Sequence, residues 1–182
     1  DKDISSEIRS IAKRERIDIT TQAQVKEVTK KEEAYTLKYL KDDEVKEITA
    51  QKVLVATGRE PSFGGLDLDS LGIETENNAI KVDDYLKTSV DNIYAIGDVT
   101  GKILLAHVAS HQGVVAVENI LGKEKKMDYD AVPSAIFTSP EIATVGLSEE
   151  EVKERDIDYK IGKFPFRANG KVKTMNKRKG FI

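Results

Sequence analysis

The 182-residue sequence contains no cysteine, which excludes disulfide staples and thiol chemistry among these residues. No apolar run approaches the ~20 residues that a membrane-crossing helix needs, and the opening residues carry no leader pattern of charge followed by an apolar stretch. No G-x-G-x-x-G fingerprint occurs, and internal repeats and low-complexity linkers are absent. Neither sign of charge dominates: 29 basic against 32 acidic residues leave a net charge of -3. With the two signs interspersed, this is a poor footprint for nucleic acid or a membrane surface. The local basic run KVKTMNKRK, Lys171 to Lys179, is expected to be a solvated strand edge. His107 and His111 stand four apart, but HVASH lacks the glutamate of H-E-x-x-H and a third ligand, so no metal site is expected. These features suggest a soluble cytoplasmic protein. The sequence opens on Asp1 directly in a helical pattern and stops at KGFI without a turn or polar tail, which suggests a piece of a longer polypeptide lacking both ends.

What is present suffices for one sizeable core or two small ones. Ile4, Ile8 and Ile11 recur at helical spacing. Ile17 and Ile19 alternate with polar residues and predict a short strand. From Val25 to Ile48 the period is two, with Tyr35, Leu37 and Tyr39 on one face and KDDE as a turn, which predicts a three-stranded antiparallel meander. Val53, Leu54, Val55 and Ala56 run without alternation, as in a strand buried on both faces. Gly72 is placed to end a helical turn after Leu66 and Leu71. Asn77-Asn78 turns into a strand, AIKV. A second buried strand is expected in NIYAIGDV, and ILLAHVASHQGVVAVENILG reads as a helix ending at Gly122, with Val108, Val114, Val115 and Val117 as core. VPSAIFTSPEIATVG is β-branched and broken by prolines. Ser148 to Glu151 form a capping box whose glutamates favour a helix start. YKIGKFPF alternates again.

The chemistry centres on NIYAIGDV. A carboxylate at the end of an apolar run needs a partner, since an unpaired buried polar group costs roughly 1–3 kcal/mol. Ligands of open α/β sheets sit beyond the carboxyl ends of the strands. Gly97 permits close backbone approach there, and Asp98 can accept hydrogen bonds from sugar hydroxyls. The helix beginning near Leu104 offers free amides to an electron-rich group. Such a set suits a dinucleotide with a sugar-alcohol chain, although a plain Gly-Asp turn is an equal reading of the residues alone. Arg59 could meet a phosphate or pair with a nearby carboxylate. Glu141 is given no role.

VLVATGREP, NIYAIGDV, LLAHVASHQG and VPSAIFTSPEIATVG, in this order and at these separations, resemble the flavin-dependent pyridine nucleotide-disulfide oxidoreductases, and most nearly their dihydrolipoamide dehydrogenase branch. The resemblance continues through FPFRANGKVKTMNKRKGFI. It implies an α/β fold: partial FAD/NAD(P)-binding Rossmann-like three-layer domains with an antiparallel meander, then the start of an α+β dimer-interface domain. It divides the chain into residues 1–57, the later half of the NAD domain; 58–126, the later part of the FAD domain; and 127–182, the first part of the interface domain. It implies FAD and NAD as cofactors, with Asp98 and Gly97 at the ribityl hydroxyls and Leu104, Leu105, Ala106 and His107 lining the flavin. Thr57 and Gly58 would lie near the nicotinamide nucleotide. His111 would be a packing or surface residue.

The resemblance further implies hydride exchange between NAD and FAD, and electron exchange with a cysteine pair and a dihydrolipoyl group. The partners implied are a second subunit in a homodimer and the lipoyl domains of 2-oxoacid dehydrogenase complexes. Several parts of the family pattern are missing: both glycine fingerprints, the redox cysteines and the His–Glu acid/base pair. No catalytic residue is therefore expected in this stretch. The asparagine usual after GRxP is Ser62. Mercuric reductases and glutathione-reductase-like enzymes share the scaffold, and a non-catalytic dimerisation or scaffold fragment is the alternative of another class.

Overall fold

The computed structural model describes residues 1–175 and 179–182. The chain forms two compact units, one of residues 1–55 with 147–182 and the other of residues 56–146.

In the first unit, helix α1 (Lys2–Arg14) is started by Asp1, whose carboxylate accepts from the amides of Asp3 and Ile4. Its end consumes the residue from which a strand was expected. Arg16 turns left-handed at φ 58° and the Ile17 amide returns to the Ala12 carbonyl at 2.9 Å. A helix stop of this kind leaves Ile17 and Ile19 exposed and outside any sheet. The meander forms as its period dictates: β1 (Gln24–Lys31), β2 (Ala34–Lys41) and β3 (Glu44–Ala50) pair antiparallel in that order. Val28, Leu37 and Ile48 stand opposite one another on one face. On the other face Lys38 sits between Glu27 at 3.2 Å and Glu47 at 3.7 Å, and the Glu27 contact raises its pKa above the ordinary lysine value. Asp42 and Asp43 both take positive φ, as a two-residue hairpin turn requires.

Two further helices of this unit follow their capping signals. Ser148 and Glu151 form the expected reciprocal box at the start of α3 (Glu149–Glu154). Asn169 caps α4 (Gly170–Thr174), so the opening of the basic run is helical rather than a strand edge; its residues 176–178 lie outside the described ones. Phe164 and Ile182 exchange backbone hydrogen bonds of 2.7 and 3.0 Å.

The second unit carries the larger core. Turn residues 68–73 close with Gly72 donating to Asp69 and Ile73 donating to Leu68, a helix-stop geometry that seats Leu68 and Ile73 together in one apolar cluster. Asn77 and Asn78, both at positive φ, join β4 (Thr75–Glu76) to β5 (Ala79–Ile80). The expected AIKV strand therefore stops after two residues. Helix α2 (Ala106–Ile120) packs Val108, Val115 and Ala116 against Leu86 and Met127. Val114 and Val117 are each 55% exposed, contrary to expectation, because a helix can turn only one stripe toward its core. Strands β6 (Ser134–Ile136) and β7 (Ile142–Thr144) form a short hairpin.

Two predicted buried strands are not laddered among the described residues. Val53–Ala56 lies outside any sheet, with Leu54 90% exposed. NIYAIGDV makes a single bridge, Tyr94 to Lys87, and then enters a 3-10 turn at Gly97–Thr100. A strand buried on both faces needs neighbours at its edges and above and below it, and no described segment supplies that ladder. Ala95 nonetheless reaches the core, its amide held by the Leu86 carbonyl at 3.1 Å.

Candidate functional site

The extended run Ile93–Ile96 delivers Gly97 and Asp98 to the 3-10 turn. Gly97 takes φ +76°, a conformation open to glycine. Its amide donates to Gln112 Oε1 at 2.6 Å, and its carbonyl accepts from the Thr100 hydroxyl at 2.8 Å. The turn ends on Gly101 at φ +62°, where any Cβ would meet the Ala79 Cβ at 2.6 Å. The backbone around Asp98 is thus fixed on both sides while its carboxylate points outward.

Asp98 is half-exposed rather than buried, so solvent can serve its carboxylate and the cost of an unpaired buried acid does not arise; Arg59 stands beside it. Its Nη1 stands 3.5 Å from Asp98 Oδ2, and the two side chains are 64% and 44% exposed. Its Nη2 also donates to the Leu104 carbonyl. Of the two readings open for Arg59, the structure has the carboxylate pair. At this exposure the pair is worth about 0–1 kcal/mol, weak enough for a polyhydroxyl ligand to compete with it.

The start of α2 lies at the other end of that arginine bridge. Leu105 precedes the helix in extended conformation, and no side chain caps it. A helix end without a cap leaves amides and the positive end of the helix dipole available. Leu105 packs toward the core cluster, whereas Ala106 and His107 are exposed. The His107 ring lies 2.9 Å from the Pro133 carbonyl through Nε2. His107 and His111 border a cavity of about 130 Å³ with Val108, Met127 and Pro133. Thr57 and Gly58 are exposed, with open space around Gly58. They directly precede Arg59.

The order of residues thus brings Gly97, Asp98 and Leu104 into one neighbourhood, whereas no motif marks Thr100, Gly101, Gln112 or Tyr129, whose hydroxyl accepts from Gln112 Nε2 at 2.8 Å. The available signal was Gln112 itself, which falls four residues after Val108 and three before Val115 on the apolar stripe of the helix and must find partners if buried.

Residues 1–113 match the family model described as pyridine nucleotide-disulphide oxidoreductase, and residues 132–182 match that family's dimerisation domain. The chain belongs to this family. Family members use FAD and NAD. Dihydrolipoyl dehydrogenase of Chlamydia pneumoniae is 43% identical over 181 residues, covering 99% of this chain and 38% of the relative. The enzyme of the same name from Bacillus subtilis is 41% identical over 185 residues, covering 100% and 39%. Among solved structures, the HOCl-induced flavoprotein disulfide reductase RclA from Escherichia coli superposes with a TM-score of 0.82 at 28% identity, covering all of this chain and 41% of that one. The chain therefore spans less than half the length of these relatives. Among the described residues no helix is long and apolar enough to cross a membrane.

Proposed function

We propose that this chain supplies the flavin-gripping turn and part of the subunit interface of a dihydrolipoyl dehydrogenase, which oxidises protein-bound dihydrolipoamide and passes the electrons by way of FAD to NAD. The observation that carries the reading is the Arg59 bridge, which brings the Asp98 carboxylate and the uncapped start of α2 to one side chain. These residues fit FAD. Asp98 presents acceptor oxygens to ribityl hydroxyls, and the Gly97 backbone allows the sugar chain to approach. The amides near Ala106 and His107 suit the electron-rich pyrimidine edge, with Leu104 and Leu105 beside it. When bound, FAD supplies the two-electron chemistry; the residues named here bind and orient it. Thr57 and Gly58 leave room for the nicotinamide nucleotide.

On this reading residues 1–57 belong to the NAD domain, 58–126 to the FAD domain and 127–182 to the interface domain. The partners are a second subunit and the lipoyl domains of 2-oxoacid dehydrogenase complexes, and the compartment is the cytoplasm. Flavin titration of the purified chain, followed by fluorescence quenching, tests the proposal. FAD should bind weakly, since these residues include neither glycine fingerprint, and Asp98→Ala should weaken binding further, by about tenfold, through loss of a charge-assisted contact. Equal binding by the variant would count against the assignment. A folded wild-type chain that binds no flavin would favour the scaffold reading.

A further inference from the structure

Gln112 is fully buried in α2, at 0% exposure, and the apolar residues Val108, Val115 and Ala116 are buried on the same helix. A buried amide is tolerated only when its polar atoms are matched. Here Oε1 accepts from the Gly97 amide at 2.6 Å, and Nε2 donates to the Tyr129 hydroxyl at 2.8 Å. The Gly97 N–H can only donate, so it fixes which end of the amide faces it, and the Tyr129 hydroxyl accepts from the other end. If the amide were reversed, its NH₂ would face another N–H. With Thr100 holding the Gly97 carbonyl, both polar groups of Gly97 are engaged, and the residue immediately following it is Asp98.

We infer that Gln112, anchored at its far end by Tyr129, is a positioning residue that sets the Gly97–Asp98 turn for the ribityl chain of FAD. The inference rests on the proposed flavin site, but its geometry can be tested without flavin.

The experiment uses the full 182-residue chain and three variants. Gln112→Met keeps the volume without an amide acceptor. Gln112→Glu keeps an acceptor for Gly97. Tyr129→Phe removes the hydroxyl that anchors the far end of the amide. Two quantities are measured: hydrogen exchange of the Gly97 amide in the absence of flavin, and FAD affinity. Gln112→Met should speed Gly97 exchange and weaken FAD binding about tenfold. Gln112→Glu should restore both, and Tyr129→Phe should shift both in the direction of Gln112→Met. Wild-type Gly97 exchange in Gln112→Met, or no rescue by Gln112→Glu, would overturn the inference. If Gln112→Met does not fold, unchanged Gly97 exchange in Tyr129→Phe overturns it instead. Faster Gly97 exchange in Gln112→Met, together with a wild-type chain that binds no FAD, would uphold the positioning of the turn and reject the flavin site.

Discussion

Lys126 reaches back to Asp84 with Nζ 2.8 Å from Oδ2, while the Met127 amide donates to the Asp84 carbonyl at 3.1 Å. One residue thus anchors the segment after α2 twice, by charge and by backbone, and the second contact holds Met127 where it enters the core. Lys126 also lies 5.4 Å from the centroid of the Tyr85 ring.

This pair makes stability depend on pH at both extremes. The Lys126 hydrogen bond pulls the Asp84 carboxyl below its usual value, and the same bond raises the Lys126 ammonium. The Asp84 contribution is present above about pH 4 and is lost as pH falls through the lowered value. That of Lys126 is present below about pH 10 and is lost as pH rises through the raised value. Asp84→Asn should flatten the acid limb of Tm against pH; superimposable wild-type and variant curves would remove the pair from the account.

The Arg59–Asp98 pair should be cheap to break. Replacing Arg59 by Met is expected to change unfolding free energy by no more than about 1 kcal/mol at low salt, and by less at 1 M salt, where screening acts within about 3 Å. Urea titrations at the two ionic strengths measure this. A larger loss that persists at high salt would show that Arg59 stabilises the unit by packing.

Gly101→Ala should cost more than Gly58→Ala. Both positions take positive φ, but only at Gly101 does a Cβ collide, at 2.6 Å from the Ala79 Cβ, while Gly58 faces open space. Overpacking typically adds about 1–3 kcal/mol to the backbone strain. Comparing the two thermal midpoints isolates the collision, and equal shifts would refute it.

Leu86 is fully buried and sits at φ +68°, a conformation rare for a bulky residue. Its side chain fills the centre of the Val108, Val115 and Met127 cluster. Leu86→Ala should therefore destabilise by about 2–5 kcal/mol, whereas Val114→Ala, on the exposed side of α2, should change stability by no more than about 0.5 kcal/mol. Chemical denaturation of the two variants would expose any error in the assignment of the buried stripe.

The chain supplied with FAD, NAD and dihydrolipoamide should show no turnover, because its 182 residues include no cysteine to exchange electrons with a dithiol. A spectrophotometric assay of NADH formation decides this. Any enzyme-dependent rate would mean that the chemistry does not need a protein thiol.

Features set by near neighbours were legible in the residues. The isoleucine spacing of α1, the Asp42-Asp43 turn and the Ser148 capping box each depend on bonds closed within a few positions, and the period-two meander depends on pairing between strands joined by short turns. The order of Gly97, Asp98 and the following helix was legible for the same reason. Composition also decided, unaided, that no thiol chemistry resides here. Which groups meet across longer separations was decided by the tertiary structure alone. Val53–Ala56 and Leu86 are equally apolar, yet only Leu86 found neighbours on every side. Arg59 chose Asp98 and Leu104 across some forty residues, and Gln112 found Gly97 and Tyr129 from the middle of a helix. Hydrophobicity and charge state what a side chain requires; the path of the chain through space determines which partner is close enough to provide it.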